Sequence, residues 1–284
     1  MDLQKIRRVI ISGVVAEDTL SEQVVLKGGN ALNLVHGLGG RASLDVDFSM
    51  EGDFDNVEDT EKKLSARLID RFDSEGYVVF DLKLTVEPPR APPDPAWGGY
   101  RVTFKLITKA KQVELKQRLN DMRRQSVAIG EGTHRRAFKV EISKNEYCKG
   151  KEKRTIEGYE CYVYSLPMLG AEKLRAICQQ MPEYPLVRRK KARARDFYDI
   201  HVIVTEGRVD FVVPENLDLI REMFKAKEVP LRLLTKVRDT RGFHAGEWSA
   251  LSDTIEKEKR VRGFDFYFDF VLSEIERLHS LWEE

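Results

Sequence analysis

The chain has 284 residues, 42% of them hydrophobic, enough to bury a substantial core in one large or two modest domains. Its 48 lysines and arginines almost balance 47 acids, so any attraction for a polyanion must come from local segregation of charge rather than from the total. Three cysteines without a Cys-x-x-Cys pair argue against a disulfide scaffold, five scattered histidines argue against zinc, and neither a signal-peptide core nor an apolar run of roughly 18 residues is present, so a soluble cytoplasmic protein with no membrane partner is expected.

Residues 2–17 carry Leu3, Ile6, Val9, Ile10 and Val14 on one face of a predicted helix. The apolar run Val24-Val25-Leu26 reads as a short strand, and Gly28-Gly29 as a turn in which the backbone can approach a ligand closely. Asn30 is placed to cap a helix over residues 31–38, with Ala31, Leu34, Val35 and Leu38 on one face. A helix start beside glycines suits phosphate, which the backbone amides of Gly28, Gly29 and Asn30 could bind. The next strand begins Asp45-Val46-Asp47-Phe48. Side chains two apart on a strand share a face, so Asp45 and Asp47 point the same way, roughly 7 Å apart at Cα, and can share a divalent metal. Taken alone, the same pattern also describes the solvated side of an amphipathic strand.

Residues 56–74 predict a helix with Leu64, Leu68, Ile69 and Phe72 inward, ended by Gly76. Residues 77–86 and 100–106 alternate as two strands of an antiparallel pair, joined by a proline-rich stretch, 88–95, that reads as an exposed loop. Residues 113–122 are polar and read as helical, whereas Phe138, Val140 and Ile142 alternate with Lys139 and Glu141 on a further strand. Residues 154–165 form another strand region, and Leu166-Pro167 marks the passage into helices. In the first of these Leu166, Leu169, Leu174 and Ile177 face inward and Lys173 lies near the edge of that face. Arg188, Arg189, Lys190, Lys191, Arg193 and Arg195 then form a basic run, before a helix in which Asp196 and Asp199 are i, i+3 neighbours. From Phe211 onward the chain reads as helical scaffold, ending in the apolar stripe Phe264, Tyr267, Phe268, Val271, Ile275, Leu278 and Trp282.

The order of glycine turn, helix, basic residue, serine and alternating acids before an aromatic resembles the AbiEii/AbiGii toxin family of nucleotidyltransferases. That pattern runs Lys-Gly-Gly-Thr-Ala-Leu, then Arg-x-Ser-x-Asp-x-Asp-Phe. It is matched by Lys27, Gly28, Gly29, Ala31, Leu32, Arg41, Ser43, Asp45, Asp47 and Phe48, with Asn30 in place of the hydroxyl residue and Ala42 where an aromatic is often found. A second block of the same family pattern follows in Ala171, Glu172, Lys173, Leu174 and Ala176, then Arg195, Asp196, Tyr198, Asp199 and Ile200.

The resemblance implies an α+β fold: a nucleotidyltransferase palm of the polymerase-β type with a mixed sheet over residues 1–165, followed by a helical C-terminal domain over 166–284. It implies transfer of a nucleoside monophosphate from an NTP to a hydroxyl with release of pyrophosphate. By the same pattern Asp45 and Asp47 are catalytic and hold Mg2+ or Mn2+, joined from a neighbouring strand by Glu141, where members more often carry aspartate. Gly28, Gly29, Asn30 and Ser43 would bind the nucleotide, Lys173 would contact the triphosphate, and Asp196 would orient the lysine, nucleotide or acceptor. Asp196 and Asp199 could instead simply pair with Lys173, Arg193 or Arg195. The implied acceptor is RNA, most concretely the 3′ end of a tRNA, and the implied setting is a type IV toxin–antitoxin system with a neutralising antitoxin protein. The basic run is consistent with a nucleic-acid acceptor. Two other readings stay open: a protein or small-molecule hydroxyl as acceptor, and a catalytically silent palm that binds nucleotide or RNA.

Overall fold

The computed structural model describes residues 2–39, 43, 45–89, 97–129, 134–249 and 261–283. Arg41, Ala42 and Leu44 of the first block, and residues 90–95 of the proline-rich stretch, lie outside the described residues. The chain divides into two compact units, the first of Met1–Asn30, Ser43–Lys144 and Glu152–Val163, the second of Ala31–Ala42, Asn145–Lys151 and Tyr164–Glu284.

The first unit opens with α1 (Leu3–Val15), capped by Asp2, whose side chain accepts from the Lys5 amide. Instead of one helix to residue 17 the chain turns at Ala16 and restarts as α2 (Asp18–Gln23), because the Glu17 carboxylate accepts from the Leu20 amide at 2.8 Å and caps a new start. β1 (Val25–Lys27) leads into a helical turn, α3 (Gly28–Asn30), and then β2 (Val46–Ser49). α4 (Val57–Ser74) starts on Asn56, whose side chain accepts from Asp59 N at 3.0 Å, and buries Leu64, Leu68 and Phe72. Ile69 is 49% exposed, contrary to the sequence expectation, because it lies one residue round the helix from the line of i, i+4 neighbours.

β3 (Tyr77–Glu87) and β4 (Gly99–Thr108) pair antiparallel, and β5 (Phe138–Ser143) pairs antiparallel with β4. Between them, two short helices, α5 (Lys109–Glu114) and α6 (Leu119–Gln125), replace the single helical stretch predicted. They are separated by Lys116 and Gln117, both at positive φ. β6 (Glu152–Ile156) and β7 (Tyr159–Val163) form a hairpin whose two turn residues, Glu157 and Gly158, both take positive φ, as a two-residue turn requires.

The seven strands among the described residues join one mixed sheet in the order β3-β4-β5-β2-β1-β7-β6. β2 runs antiparallel to β1 and parallel to β5, while β1 runs parallel to β7. Val46, Phe48, Phe138, Val140 and Ile142 are buried on the core side, and Phe104 bridges Phe72 of α4 and Phe138 of β5 at 5.8 Å from each ring. The alternate residues of the same strands, Asp47, Lys139 and Glu141, are only partly buried.

The second unit is helical. Its first segment continues from Asn30 as a π-helical stretch, Ala31–Val35, not as the regular helix to residue 38 expected from the sequence. The segment is tied within the unit by hydrogen bonds between His36 Nε2 and Tyr164 O at 2.8 Å and from the Tyr198 hydroxyl to Gly39 O at 2.8 Å. α7 (Leu166–Cys178), α8 (Ala194–Thr205), α9 (Pro214–Lys225), α10 (Arg241–Ala245) and α11 (Phe264–Arg277) follow, with a 3-10 helix at Leu231–Thr240. Gly170 of α7 lets Phe211 approach so closely that a Cβ would meet Phe211 Cζ at 2.3 Å. Phe197 of α8 is fully buried and stacks on Phe268 at 5.1 Å and edge-on to Phe264 at 5.4 Å, giving the C-terminal apolar stripe its structural use. Arg175 is buried on Glu146 at 2.8 Å and donates to Met223 O at 2.9 Å, tying the segment 145–151 and the end of α9 to α7.

Candidate active site

In the first unit Lys27 and Asp47 of the first block share the sheet face opposite Phe48 with Glu141. Register pairs Lys27 of β1 with Asp47 of β2, Asp47 with Glu141 of β5, and Glu141 with Arg101 of β4. A charged row therefore crosses four neighbouring strands. It exists because the strand alternation that buries Phe48, Val140 and Val102 turns these residues to the other side.

Gly28 ends β1 at φ +69, and a Cβ there would lie 2.6 Å from Asp47 Oδ2. Only glycine fits: the turn presses its backbone against the carboxylate. Asp45 does not lie in the strand as predicted; β2 begins at Val46, and Asp45 sits in the bend before it. That bend is held by its own carbonyl, which accepts from Asn30 Nδ2 at 2.6 Å and Ser43 Oγ at 3.4 Å. Asn30 is 1% exposed, so its side chain is committed to Asp45 and does not cap the helix. Its Oδ1 is buried without a hydrogen-bond partner. The Asp45 carboxylate is 36% exposed and lies 4.0 Å from Arg135 Nη2. Lys27 is 7% exposed and donates from Nζ to Ser143 Oγ at 3.2 Å.

The donor set consists of carboxylate oxygens, which suits a hard divalent cation such as Mg2+ or Mn2+. The Gly28 turn leaves Asp47 Oδ2 room that a side chain would fill. The placement fits in part: Asp47 and Glu141 are register neighbours, yet among the described residues no three His, Cys, Asp or Glu side chains converge tightly enough to hold an ion.

The second block lies in the second unit and forms a buried ion cluster. Lys173 of α7 is 5% exposed, inside the packing face rather than at its edge, and donates from Nζ to Asp199 Oδ2 at 2.6 Å and Asp196 Oδ1 at 3.2 Å. Asp196 Oδ2 is buried without a hydrogen bond, 3.7 Å from Arg193 Nη1. The ion pairing weighed from the sequence is thus present, with Lys173 as the common partner. His244 of α10 accepts the Arg193 amide on Nδ1 at 3.0 Å, just before α8, and packs on Phe197 at 5.2 Å. Burial pushes its imidazole down to about 4, against a smaller opposing pull from Asp196.

The basic run is a loop as far as Arg193 and enters α8 at Arg195. Lys190 turns inward, donating to Gln179 O and Tyr184 O, and burial lowers its pKa. Arg188, Arg189, Lys191 and Arg195 are exposed and make no ion pair among the described residues. Sequence reading missed the use of Asn30, and it missed Arg101, whose Nε donates to Glu141 Oε1 at 3.0 Å. For Arg101 the signal was its place on the polar side of an alternating strand; for Asn30, whose partner is a main-chain carbonyl, there was none.

A mixed sheet bearing acids on one face beside a glycine turn, with helices following, is the α+β fold of a nucleotidyltransferase. The chain belongs to the nucleotidyl transferase AbiEii toxin family of type IV toxin–antitoxin systems, whose sequence pattern matches residues 10–270. It is accordingly a transferase and a toxin-family protein, with a nucleotide substrate and an antitoxin implied by that membership. Among solved structures it is similar to JHP933 from Helicobacter pylori, at 18% identity and a TM-score of 0.49, covering 98% of this chain and 90% of that one. It is also similar to MenT4, a nucleotidyltransferase toxin from Mycobacterium tuberculosis H37Rv, at 15% identity and a TM-score of 0.48, covering 98% and 82%. No curated protein matches. Among the described residues no helix is long and apolar enough to cross a membrane.

Proposed function

We propose that the chain transfers a nucleoside monophosphate from an NTP to the 3′ end of a tRNA in the cytoplasm, with Mg2+ or Mn2+, and that a cognate antitoxin restrains it. The observation that carries the reading is the junction at Gly28, where an added Cβ would meet Asp47 Oδ2 at 2.6 Å. Such a turn brings main-chain amides suited to phosphate next to an acid suited to a metal.

In this reading Asp45, Asp47 and Glu141 hold the ion, and the amides of Gly28, Gly29 and Asn30 take the phosphates. Bound there, a divalent ion neutralises phosphate charge and lowers the pKa of the attacking hydroxyl. Asn30 and Ser43 act through the Asp45 carbonyl, fixing the bend that presents its carboxylate. Lys173 is the point charge for the triphosphate, and Asp196, already its hydrogen-bond partner, orients it. The exposed cations Arg188, Arg189, Lys191 and Arg195 favour RNA over a small hydroxylated acceptor, since each phosphate they neutralise releases counterions.

The test is made in cells. Induced expression should arrest growth and leave tRNA 3′ ends extended on sequencing, and Asp47→Ala should abolish both. Arrest with unmodified tRNA would point to another acceptor, and arrest by the Asp47→Ala variant would defeat the catalytic reading.

A further inference from the structure

We propose that Arg101 is a positioning residue for the metal site, holding Glu141 so that one of its carboxylate oxygens is presented beside Asp47. The inference rests on the reading of Glu141 as a metal ligand and adds the residue that makes a glutamate workable there.

The geometry is specific. Glu141 stands between two register partners, Asp47 on the parallel strand β2 and Arg101 on the antiparallel strand β4. Arg101 Nε donates to Glu141 Oε1 at 3.0 Å, and Arg101 Nη1 donates to Glu87 Oε1. The guanidinium is therefore held through Nη1 by Glu87 while its Nε–H is directed at Glu141. One oxygen of Glu141 is engaged, and Oε2 has no hydrogen-bond partner among the described residues.

The pair has little to offer the fold. The Arg101 and Glu141 side chains are 36% and 42% exposed, and surface ion pairs of that kind contribute little to stability. Orientation is where it counts. A glutamate has one more rotatable bond than an aspartate and must be ordered before it can serve as a ligand, and partners that orient a ligand commonly account for about 10–100-fold in metal affinity or activity. Three strands are recruited to this one carboxylate, with Glu87 on β3 steadying Arg101 on β4 and Arg101 steadying Glu141 on β5.

The experiment is Mn2+ titration of the full chain, followed by the electron paramagnetic resonance of the free ion, for wild type, Arg101→Ala, Arg101→Lys, Glu141→Ala and the Arg101→Ala/Glu141→Ala double variant. Arg101→Ala should melt close to wild type yet bind Mn2+ about 10-fold or more weakly, with Arg101→Lys between them. In the Glu141→Ala background removal of Arg101 should change nothing further, since it acts only through Glu141. If Arg101→Ala alone fails to fold, the Arg101→Lys titration decides: affinity equal to wild type defeats the proposal, and a several-fold loss supports it. Unchanged Mn2+ affinity in Glu141→Ala would overturn the reading of Glu141 as a ligand, and the proposal with it. Weakened affinity in Glu141→Ala with wild-type affinity in Arg101→Ala, or an Arg101 effect that persists without Glu141, would overturn the proposal and leave the ligand reading standing.

Discussion

Gly28 and Asn30 show how single side chains shape the acidic site. At Gly28 any β-carbon meets Asp47 Oδ2 and must also adopt φ +69. Gly28→Ala should lower stability by about 1–2 kcal/mol, the cost of a left-handed backbone for a residue with a side chain. Displacement of the carboxylate should lower kcat/KM by about 100-fold, because small misplacements of reacting groups are that costly. Urea unfolding and steady-state kinetics separate the two effects; a fully active Gly28→Ala variant would contradict the geometry. Asn30→Ala removes the 2.6 Å bond to the Asp45 carbonyl and, with it, a buried acceptor that has no partner. Its stability cost should therefore stay below about 1.5 kcal/mol while activity drops about 10-fold, the mark of a residue that orients an acid more than it supports the fold. Asp47 and Glu141 were legible in the sequence as acids alternating with buried apolar residues, whereas Asp45 was placed on the same strand and lies in the bend before it. The partners of Asn30 and Glu141 were not legible, because one is a carbonyl fifteen positions away and the other depends on which strands become neighbours.

At the level of elements, the start of α8 is the most informative. Its N-terminal backbone is held by His244 Nδ1, which must be unprotonated to accept the Arg193 amide. Burial depresses the His244 pKa to about 4 from an ordinary 6.5, and the charged groups facing it are Asp196 and Arg193. A depressed histidine prefers the neutral form in the folded state, so its contribution is fully present above about pH 6.5. It is lost as pH falls from there toward 4, by about 3 kcal/mol. Thermal melts from pH 7 to 4 should show wild type losing more stability than His244→Asn, which keeps an acceptor but cannot titrate. Parallel pH profiles would contradict this. Strong periodicity made α4, β3, β4 and β5 legible, since an apolar face repeats over several turns or pleats. The break between α5 and α6 was not, because Lys116 and Gln117 adopt positive φ without the glycine that usually announces it. The π-helical stretch Ala31–Val35 was likewise hidden, since its apolar residues also satisfy regular helical spacing.

For the molecule as a whole, near-neutral net charge coexists with four exposed cations, three in the loop before α8 and Arg195 in its first turn, that form no ion pair among the described residues. If that loop carries RNA, tRNA binding should weaken steeply with salt, and replacing Arg188, Arg189, Lys191 and Arg195 by alanine should flatten the log–log slope by about 0.7–0.9 for each phosphate no longer neutralised. An unchanged slope would place the RNA elsewhere. Linear reading shows the loop's charge but not that Lys190 turns inward, nor that segments 31–39 and 145–151 fold with the C-terminal helices rather than with their sequence neighbours.

Whether the first-block acids drive metal-dependent nucleotide transfer to RNA is decided by incubating wild type and the Asp45→Ala and Asp47→Ala variants with Mg2+, bulk tRNA and each of the four NTPs labelled at the α-phosphate, then separating RNA from protein. Label should enter tRNA from at least one NTP, and either chelation or either substitution should abolish it. Label in no fraction, or label in tRNA that persists in both variants, would contradict that role for the two aspartates.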